Sequence, residues 1–220
     1  MSGSLNLLYF PSELHGVYKK NRTRFGGGVF LAIKSDLVCI EEPNLEVESC
    51  EIVWASLKLT NCKTIYLSSY YRAPNSPSDS LDQLNESIRR VFSKVQNYPN
   101  IIIGGDFNLG DIDWKSNVSA PINPNTASQH QKLLNIIDDY SLTQHVKSPT
   151  RPTSGNTLDL LSSSYPNVIC NPSTVTGLSD HLAVNFEVNL RPSRSKSPHK
   201  VYQYNKPNFP GLQNFVRFVI

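Results

Sequence analysis

The chain has 220 residues, of which 39% are hydrophobic, and it carries a formal net charge of +3 with an isoelectric point near 8.6. This is enough material for one sizeable domain with a hydrophobic core. No run comes near the roughly 18 apolar residues of a transmembrane helix, and the mild basicity permits nucleic-acid binding without demonstrating it.

Four cysteines lie in the chain without the C-x-x-C spacing of a zinc site: Cys39, Cys50, Cys62 and Cys170. The first residues, MSGSLNLLYF, do not form a secretory signal. We therefore expect reduced thiols and an intracellular protein, nuclear if it is functional.

Strand patterns come first along the chain. Residues 26–34 (GGGVFLAIK) follow glycines and alternate little, which predicts a strand buried on both faces. Residues 50–59 alternate, which predicts a strand with one face in the core. A short turn then leads to residues 64–71, the predicted return strand of a hairpin.

Residues 76–97 (SPSDSLDQLNESIRRVFSKVQN) fit a helix, with Ser78 or Ser80 as its N-cap and apolar residues from Leu81 to Val95 at helical spacing. A second helix is predicted from about Thr126 to Tyr140. Further strands are predicted at 100–108 (NIIIGGDFN) and near 157–162, 166–175 and 181–189. This alternation without an internal repeat favours an α/β (α+β) sandwich.

The composition changes near the C-terminus of the sequence. From residue 191 (RPSRSKSPHK) the chain becomes basic and rich in serine and proline. We predict a domain at 1–190 and a solvated basic linker at 191–220, leading toward a further region.

Four short clusters place polar groups beside predicted strands: SYYRAPN (69–75), GGDFN (104–108), NTLDLL (156–161) and GLSDH (177–181). Each alone has an ordinary interpretation as a turn, a helix cap or a structural hydrogen bond. Together, Asp106, Asn108, Asp159, Asp180 and His181 supply the groups that phosphodiester hydrolysis needs. Carboxylates bind a hard divalent cation, an imidazole acts on water, and an amide stabilises phosphoryl charge.

In this order the clusters resemble the endonuclease/exonuclease/phosphatase superfamily, which has the DNase I-like fold. More narrowly, GGGVFLAIK, YYRAPNS, IIIGGDFN and VYQYNKPNF resemble the endonuclease domain of LINE-type (non-LTR) retrotransposons. The resemblance covers most of residues 15–210. It implies a four-layer sandwich of two β-sheets flanked by helices.

The resemblance also implies roles for individual residues. Asp106 is similar to the acid that positions the attacking water and associates with the metal, and Asn108 to the amide that steadies the phosphoryl oxygen. Asp159 is similar to the carboxylate that orients the catalytic histidine, His181.

Three further residues follow from the same resemblance. Asp180 is similar to a metal-associated carboxylate, and Tyr71, rather than Tyr70, to the tyrosine at the scissile phosphate. Asn75 is similar to the asparagine beside it, although YRAPN is one residue longer than the usual YxPN. The implied cofactor is Mg2+ (or Mn2+).

The sequence departs from the family at its N-terminus. Family members begin with strands that carry an asparagine and a metal-binding glutamate, and we expect this chain to lack them; Glu13 does not resemble a substitute. We therefore expect weakened metal binding, impaired activity, an unpaired strand edge and an exposed apolar sheet face.

The segment YKKNRTR (18–24) carries four cations, so Arg22 and Arg24 are candidates for contacts to DNA phosphates as well as for a solvated loop. The implied partners are DNA and, in a complete element, a C-terminal reverse transcriptase, with no membrane. The sequence does not determine the oligomeric state.

Three functions compete. The first is a metal-dependent endonuclease that nicks target DNA in retrotransposition. The second is a catalytically dead nucleic-acid-binding remnant. The third keeps the fold and hydrolyses a phosphoinositide or sphingomyelin, against which the basicity and the LINE-like flanks argue.

Overall fold

In a computed structural model of the chain, the structure describes residues 14–23, 26–77, 79–116, 118–177 and 179–189. The predicted linker at 191–220, Glu13 and Arg24 lie outside these ranges, and the side chain of Arg22 is not described. No helix within the described ranges is long and apolar enough to cross a membrane.

The described residues form strands and two α-helices in an alternating order, which confirms the predicted mixed α/β class. In chain order these elements are β1 (Leu14–Thr23), β2 (Gly26–Lys34), β3 (Val38–Glu41), β4 (Ile52–Lys58), β5 (Ile65–Tyr71), α1 (Ser80–Lys94), β6 (Asn100–Asp106), β7 (Ile112–Asp113), β8 (Ala120–Pro121), α2 (Ala127–Asp139), β9 (Thr143–Gln144), β10 (Asp159–Ser163), β11 (Ile169–Val175) and β12 (Ala183–Val188).

A six-stranded sheet in the order β3-β4-β5-β6-β10-β9 forms the centre of the fold. Its strand pairs are antiparallel except for β5 and β6, which run parallel. A parallel pair needs a crossover connection, and α1 supplies it. The predicted β4–β5 hairpin is present, with Leu57 opposite Ile65.

The two helices cover one face of this sheet. The residues of α1 that face it recur at helical spacing and are almost completely buried: Leu81, Leu84, Ile88 and Val91. They pack with Ile52, Trp54 and Ile101 of the sheet in one hydrophobic cluster. The indole Nε1 of Trp54 donates a hydrogen bond to Ser87 Oγ at 2.8 Å, which joins β4 to α1.

The opposite face is covered by two separate hairpins. The β1–β2 hairpin packs against β4 and β5, whereas Ile169, Val184 and Phe186 of the β11–β12 hairpin pack with Ile102 and Leu161. The second layer is therefore not one continuous sheet among the described residues. Each strand of these hairpins has one hydrogen-bonded neighbour there.

Burial corrects two strand predictions. The β2 strand is not buried on both faces, because Phe30 is 47% exposed on the outer side of its hairpin while Val29 and Ile33 face the sheet. Conversely, β4 is buried on both faces from Ile52 to Leu57. It lies between the helices and the β1–β2 hairpin, so its alternating sequence does not mark a solvent-facing side.

The predicted N-cap of α1 is also wrong. The residue before the helix is Asp79, and Ser80 is already helical. The hydroxyl of Ser80 instead accepts a hydrogen bond from Nε of Arg72 at 3.1 Å. The hydroxyl that was predicted to cap the helix therefore binds the side chain of Arg72, which precedes the helix in the sequence.

Two adjacent glycines near the end of β6 are under different constraints. At Gly105, with φ +152°, a Cβ would lie 1.8 Å from the carbonyl oxygen of Tyr70. At Gly104 the nearest atom would be Leu161 Cδ1 at 3.8 Å, an ordinary contact. The close approach of β5 to β6 therefore requires a glycine at position 105.

We expect Gly105→Ala to destabilise the protein by on the order of 3 kcal/mol, because strain and overlap with the Tyr70 backbone add together. Gly104→Ala is the matched control and should change the unfolding free energy by no more than about 1 kcal/mol. Urea denaturation of both variants measures the difference. Equal effects would contradict the close approach.

His145, between β9 and β10, contributes a pH dependence. Its Nε2 lies 2.8 Å from Ser163 Oγ, and burial lowers its pKa below the ordinary 6.5. The folded state therefore binds the proton less readily than the unfolded state, and stability falls as pH drops below about 6.5 toward the lower folded pKa.

We expect His145→Gln to remove this part of the pH dependence, because glutamine cannot take up a proton. Unfolding free energies measured by urea denaturation between pH 5 and pH 7 should fall less steeply in the variant than in the wild type. Unfolding free energies that depend equally on pH in the variant and in the wild type would contradict a contribution from His145.

Candidate active site

Strand pairing brings two predicted acids together. Asp106 ends β6 and Asp159 begins β10, and the two residues lie directly opposite each other in the antiparallel register. Opposite residues project from the same face of a sheet. Tyr71, which ends β5, is in register with Asp106 on its other side. Three clusters that are far apart in sequence therefore meet at one sheet edge.

His181 completes this group. Its Nδ1 lies 2.8 Å from Asp159 Oδ2, and both side chains are about one-fifth exposed. Because a carboxylate only accepts hydrogen bonds, Nδ1 carries the proton and donates a hydrogen bond to Asp159. This contact fixes the orientation of the ring, and Nε2 is the nitrogen left for chemistry.

Thr150 holds the backbone at Asp159, a role that the sequence did not reveal. Its side chain is fully buried, and Oγ1 accepts hydrogen bonds from the N–H groups of Leu158 and Asp159 at 2.9 and 3.0 Å. Its backbone carbonyl accepts a further hydrogen bond from the N–H of Leu182 at 2.7 Å. One threonine thus links the segments that carry Asp159 and His181.

Asn108 is locked against Asp106. Its backbone N–H donates to Asp106 Oδ1, and its Nδ2 donates to Asp106 Oδ2, both at 3.0 Å. The same Nδ2 donates to the backbone carbonyl of Arg72 at 2.7 Å. Asn108 has φ +49°, a conformation that asparagine tolerates well. A phosphoryl oxygen would have to replace one of the two acceptors of this amide.

The acidic cluster suits a cation. Ligand atoms of Asp106, Asp159 and His181 all lie within 4.8 Å of one another. Burial, reinforced by the charge of Asp159, raises the pKa of Asp106 above its ordinary value, while the hydrogen bonds from Asn108 oppose the shift. A bound cation would relieve both unfavourable effects. Two carboxylates suffice for Mg2+, which usually retains several waters.

Asp180, a predicted metal-associated residue, is turned away from this cluster. Its Oδ2 accepts hydrogen bonds from Nε and Nη2 of Arg151 at 2.9 and 2.7 Å. Its side chain is 50% exposed, and it does not belong to the group of potential ligands found among the described residues. Arg151 was not among the predicted residues, because its pairing depends on the conformation of two separate loops.

The two tyrosines of the SYYRAPN cluster lie on opposite faces of the sheet. Tyr70 is 2% exposed and packs on Phe107 with ring centroids 4.8 Å apart, and burial raises its pKa well above the ordinary value. Tyr71 lies on the face that carries Asp106. The geometry therefore supports the choice of Tyr71 over Tyr70. Asn75, with φ +57°, borders a cavity that also touches Asn108.

Residues 18–23 of the basic segment lie in strand β1 and not in a solvated loop, because they pair with β2. The side chains of this segment are described only in part. Lys19 is exposed, whereas Lys20 Nζ donates to the backbone carbonyl of Val47 at 2.5 Å. The side chains of Arg22 and Arg24 lie outside the described residues. Their contacts to DNA stay a prediction.

Two solved structures resemble this chain in fold. The endonuclease domain of TRAS1, a telomere-specific non-LTR retrotransposon, is 21% identical with a TM-score of 0.58, covering 82% of this chain and 81% of that one. The 3′ phosphatase NExo from Neisseria, a variant solved with a product DNA hairpin bound, is 13% identical with a TM-score of 0.50, covering 84% and 85%. These likenesses confirm the predicted DNase I-like fold.

A search of curated protein sequences finds no match. The sequence profile of the endonuclease-reverse transcriptase family, in contrast, matches residues 65–185. This range is more than half of the chain and contains Tyr71, Asp106, Asn108, Asp159 and His181. The chain therefore belongs to the endonuclease-reverse transcriptase family.

Proposed function

We propose that this protein is a divalent-metal-dependent endonuclease that nicks DNA, as the first step in copying a retrotransposon into its target. The observation that carries the proposal is the convergence of Asp106, Asp159 and His181 within 4.8 Å at one sheet edge. Membership of the family supports hydrolysis of phosphodiesters, and the fold shared with the TRAS1 endonuclease domain favours DNA as the substrate.

His181 and Asp159 act as a pair in this proposal. The Nδ1–H···Oδ2 contact fixes the orientation of the ring and leaves Nε2 available for the reaction. The imidazole then takes a proton from the attacking water or, when protonated, donates a hydrogen bond to the phosphoryl oxygen. Asp159 stabilises the positive charge that the ring acquires when it accepts the proton.

Asp106 and Asn108 form the second half of the site. Asp106, whose pKa is raised mainly by burial, orients the attacking water through its carboxylate oxygens. Asn108 and Tyr71 stabilise the charge on the phosphoryl oxygens by hydrogen bonding.

A divalent ion, Mg2+ or Mn2+, would be held by Asp106 and by the oxygen of Asp159 that does not contact His181. When bound, such an ion supplies positive charge that stabilises the phosphoryl group and the leaving oxygen.

The proposal extends to the setting of the reaction. The family description pairs the endonuclease with a reverse transcriptase, so we propose that such a domain is the partner that uses the nicked end. Access to DNA implies a nuclear location. The exposed Lys19 is positively charged and a DNA phosphate is negatively charged, which favours a contact between them. The same contact is predicted for Arg22 and Arg24.

We expect His181→Ala to reduce nicking of supercoiled plasmid by roughly 10²- to 10⁴-fold, the usual contribution of a general acid or base. Conversion of supercoiled to open-circular DNA in the presence of Mg2+ measures the rate. His145→Gln, which changes a histidine on another part of the sheet, should retain wild-type nicking.

The outcomes separate the competing functions. Nicking that survives His181→Ala would remove this residue from the mechanism. DNA retention without nicking by the wild type would identify a binding remnant, and hydrolysis of lipid phosphodiesters alone, with release of a phosphorylated headgroup, would identify a lipid phosphodiesterase.

A second pair of variants tests Asp180. If its carboxylate acts at the metal, Asp180→Asn should raise the Mg2+ concentration for half-maximal nicking by roughly tenfold. Arg151→Gln, which releases the same carboxylate from its partner, should leave that concentration unchanged or lower it. Equal increases in both variants would show that Asp180 acts only through its pairing with Arg151.

A further inference from the structure

A cavity of about 570 Å³ lies beside the site and is bordered by Asn108. One wall comes from the segment after β5 and the other from the start of α2. The residues that line it include Arg72, Asn75, Asn108, Asp111, Gln129 and His130. Among these residues, the proposed hydrolysis uses only Asn108.

The cavity contains a buried cation. Arg72 is 3% exposed, and its guanidinium donates only to neutral groups: Nε to Ser80 Oγ at 3.1 Å, and Nη2 to Ser76 O and Gln129 Oε1 at 2.8 Å each. Within the described residues, no carboxylate pairs with Arg72 and no hydrogen bond engages Nη1. A buried charge without a counter-ion is costly.

Burial also lowers the pKa of Arg72 below its ordinary value, although a guanidinium remains charged at neutral pH. An anion in the cavity would therefore gain a charge-assisted, geometrically favourable hydrogen-bond donor. Because Nε and Nη2 are already engaged, the N–H groups of Nη1 are the donors left for a phosphoryl oxygen.

The opposite wall carries one carboxylate, whose orientation is fixed by hydrogen bonds from neutral groups. Asp111 lies there, but its Oδ2 accepts hydrogen bonds from Thr126 Oγ1 and Asn123 Nδ2 at 2.7 and 3.2 Å. His130 is 4% exposed; its Nε2 accepts from the backbone N–H of Asp111, and its Nδ1 lies 2.7 Å from the carbonyl of Thr126. A ring nitrogen that accepts is unprotonated, so His130 is neutral.

Arg72 also connects the cavity to the reacting groups. Its backbone N–H donates to the carbonyl of Asp106 at 2.9 Å, and its own carbonyl accepts from Asn108 Nδ2 at 2.7 Å. Whatever orders Arg72 therefore also orders the backbone contacts of two residues of the site.

We propose that this cavity is a phosphate subsite, in which Arg72 binds the DNA backbone phosphate next to the one that is cleaved. The DNA source of this phosphate rests on the proposed endonuclease function, whereas the subsite itself rests on the buried guanidinium. Occupation of the subsite positions the strand relative to Asn108. Arg72 is a positioning residue, since it does not contact the reacting atoms.

Gln129→Glu tests the proposal without removing Arg72. The substitution is isosteric and places a carboxylate where Oε1 already contacts Nη2. Arg72 then has an internal counter-ion, so the protein should remain folded with an unchanged or higher melting temperature. Gln131→Glu is the matched control, because it adds the same charge to an exposed position of the same helix.

The first measurement is the affinity for inorganic phosphate without metal ions. Changes in the amide NMR shifts of the cavity residues report the binding. Gln129→Glu should weaken phosphate binding by roughly tenfold or more relative to Gln131→Glu, as expected for the loss of a charge-assisted hydrogen bond. Equal phosphate affinities in the two variants would overturn the subsite and leave Arg72 with a structural role only.

The second measurement uses a DNA duplex, again without metal ions. The slope of log K against log salt should be smaller in magnitude by about 0.9 for Gln129→Glu than for Gln131→Glu, the change expected for one lost phosphate contact. If phosphate binding falls but this slope does not change, the site takes free phosphate and the DNA assignment is overturned. Neither measurement depends on cleavage, so a protein that fails to nick DNA can still pass or fail this test.

Discussion

The site depends on one register, that of β6 against β10. Asp106 lies opposite Asp159 in this antiparallel pair, so the two carboxylates project from the same face. Side chains alternate between faces along a strand, and a slip by one residue would move Asp159 to the face covered by the helices. The register is held by the apolar residues that follow Asp159, because Leu160 and Leu161 pack on opposite sides of the sheet.

The different coverings of the two faces explain where chemistry can occur. The helix side is a closed hydrophobic cluster. The hairpin side is covered by two separate two-stranded units, and a smaller cavity bordered by Gly104, Asp159 and Phe186 lies against it. Asp106, Asp159 and Tyr71 emerge on this less completely covered side. Gly105 contributes by allowing β5 and β6 to approach closely where they deliver Tyr71 and Asp106.

Charge at the site is arranged by partners of different kinds. Asp159 is paired with His181, whereas Asp106 accepts hydrogen bonds only from Asn108 among the described contacts, and its pKa is raised. Asp180 is paired with an arginine outside the cluster. The carboxylate with the least compensation thus lies where a cation would be most favourable, and the buried Arg72 lies where an anion would be.

Much of the fold and of the candidate site could be predicted from the sequence. Apolar periodicity located both helices and the strands β2, β4, β5, β6, β10, β11 and β12, but not β1, the longest strand among the described residues. The polar clusters at the strand ends contained every member of the Asp106–Asp159–His181 group. Local chemistry suffices for such predictions, because strand alternation and helical spacing are properties of neighbouring residues. The resemblance of short motifs added the fold and the residue roles.

Other features required the tertiary structure. Which face of β4 is buried depends on the layers that cover it, and the partners of Ser80, Thr150 and Arg151 are distant in sequence. The sequence by itself determined which acids, imidazole and amide are present and which elements carry them. Only the three-dimensional packing decided that Asp180 turns to Arg151, that Tyr71 rather than Tyr70 shares the face of Asp106, and that Arg72 is buried without a counter-ion, because side-chain direction and charge compensation are set by contacts between distant segments.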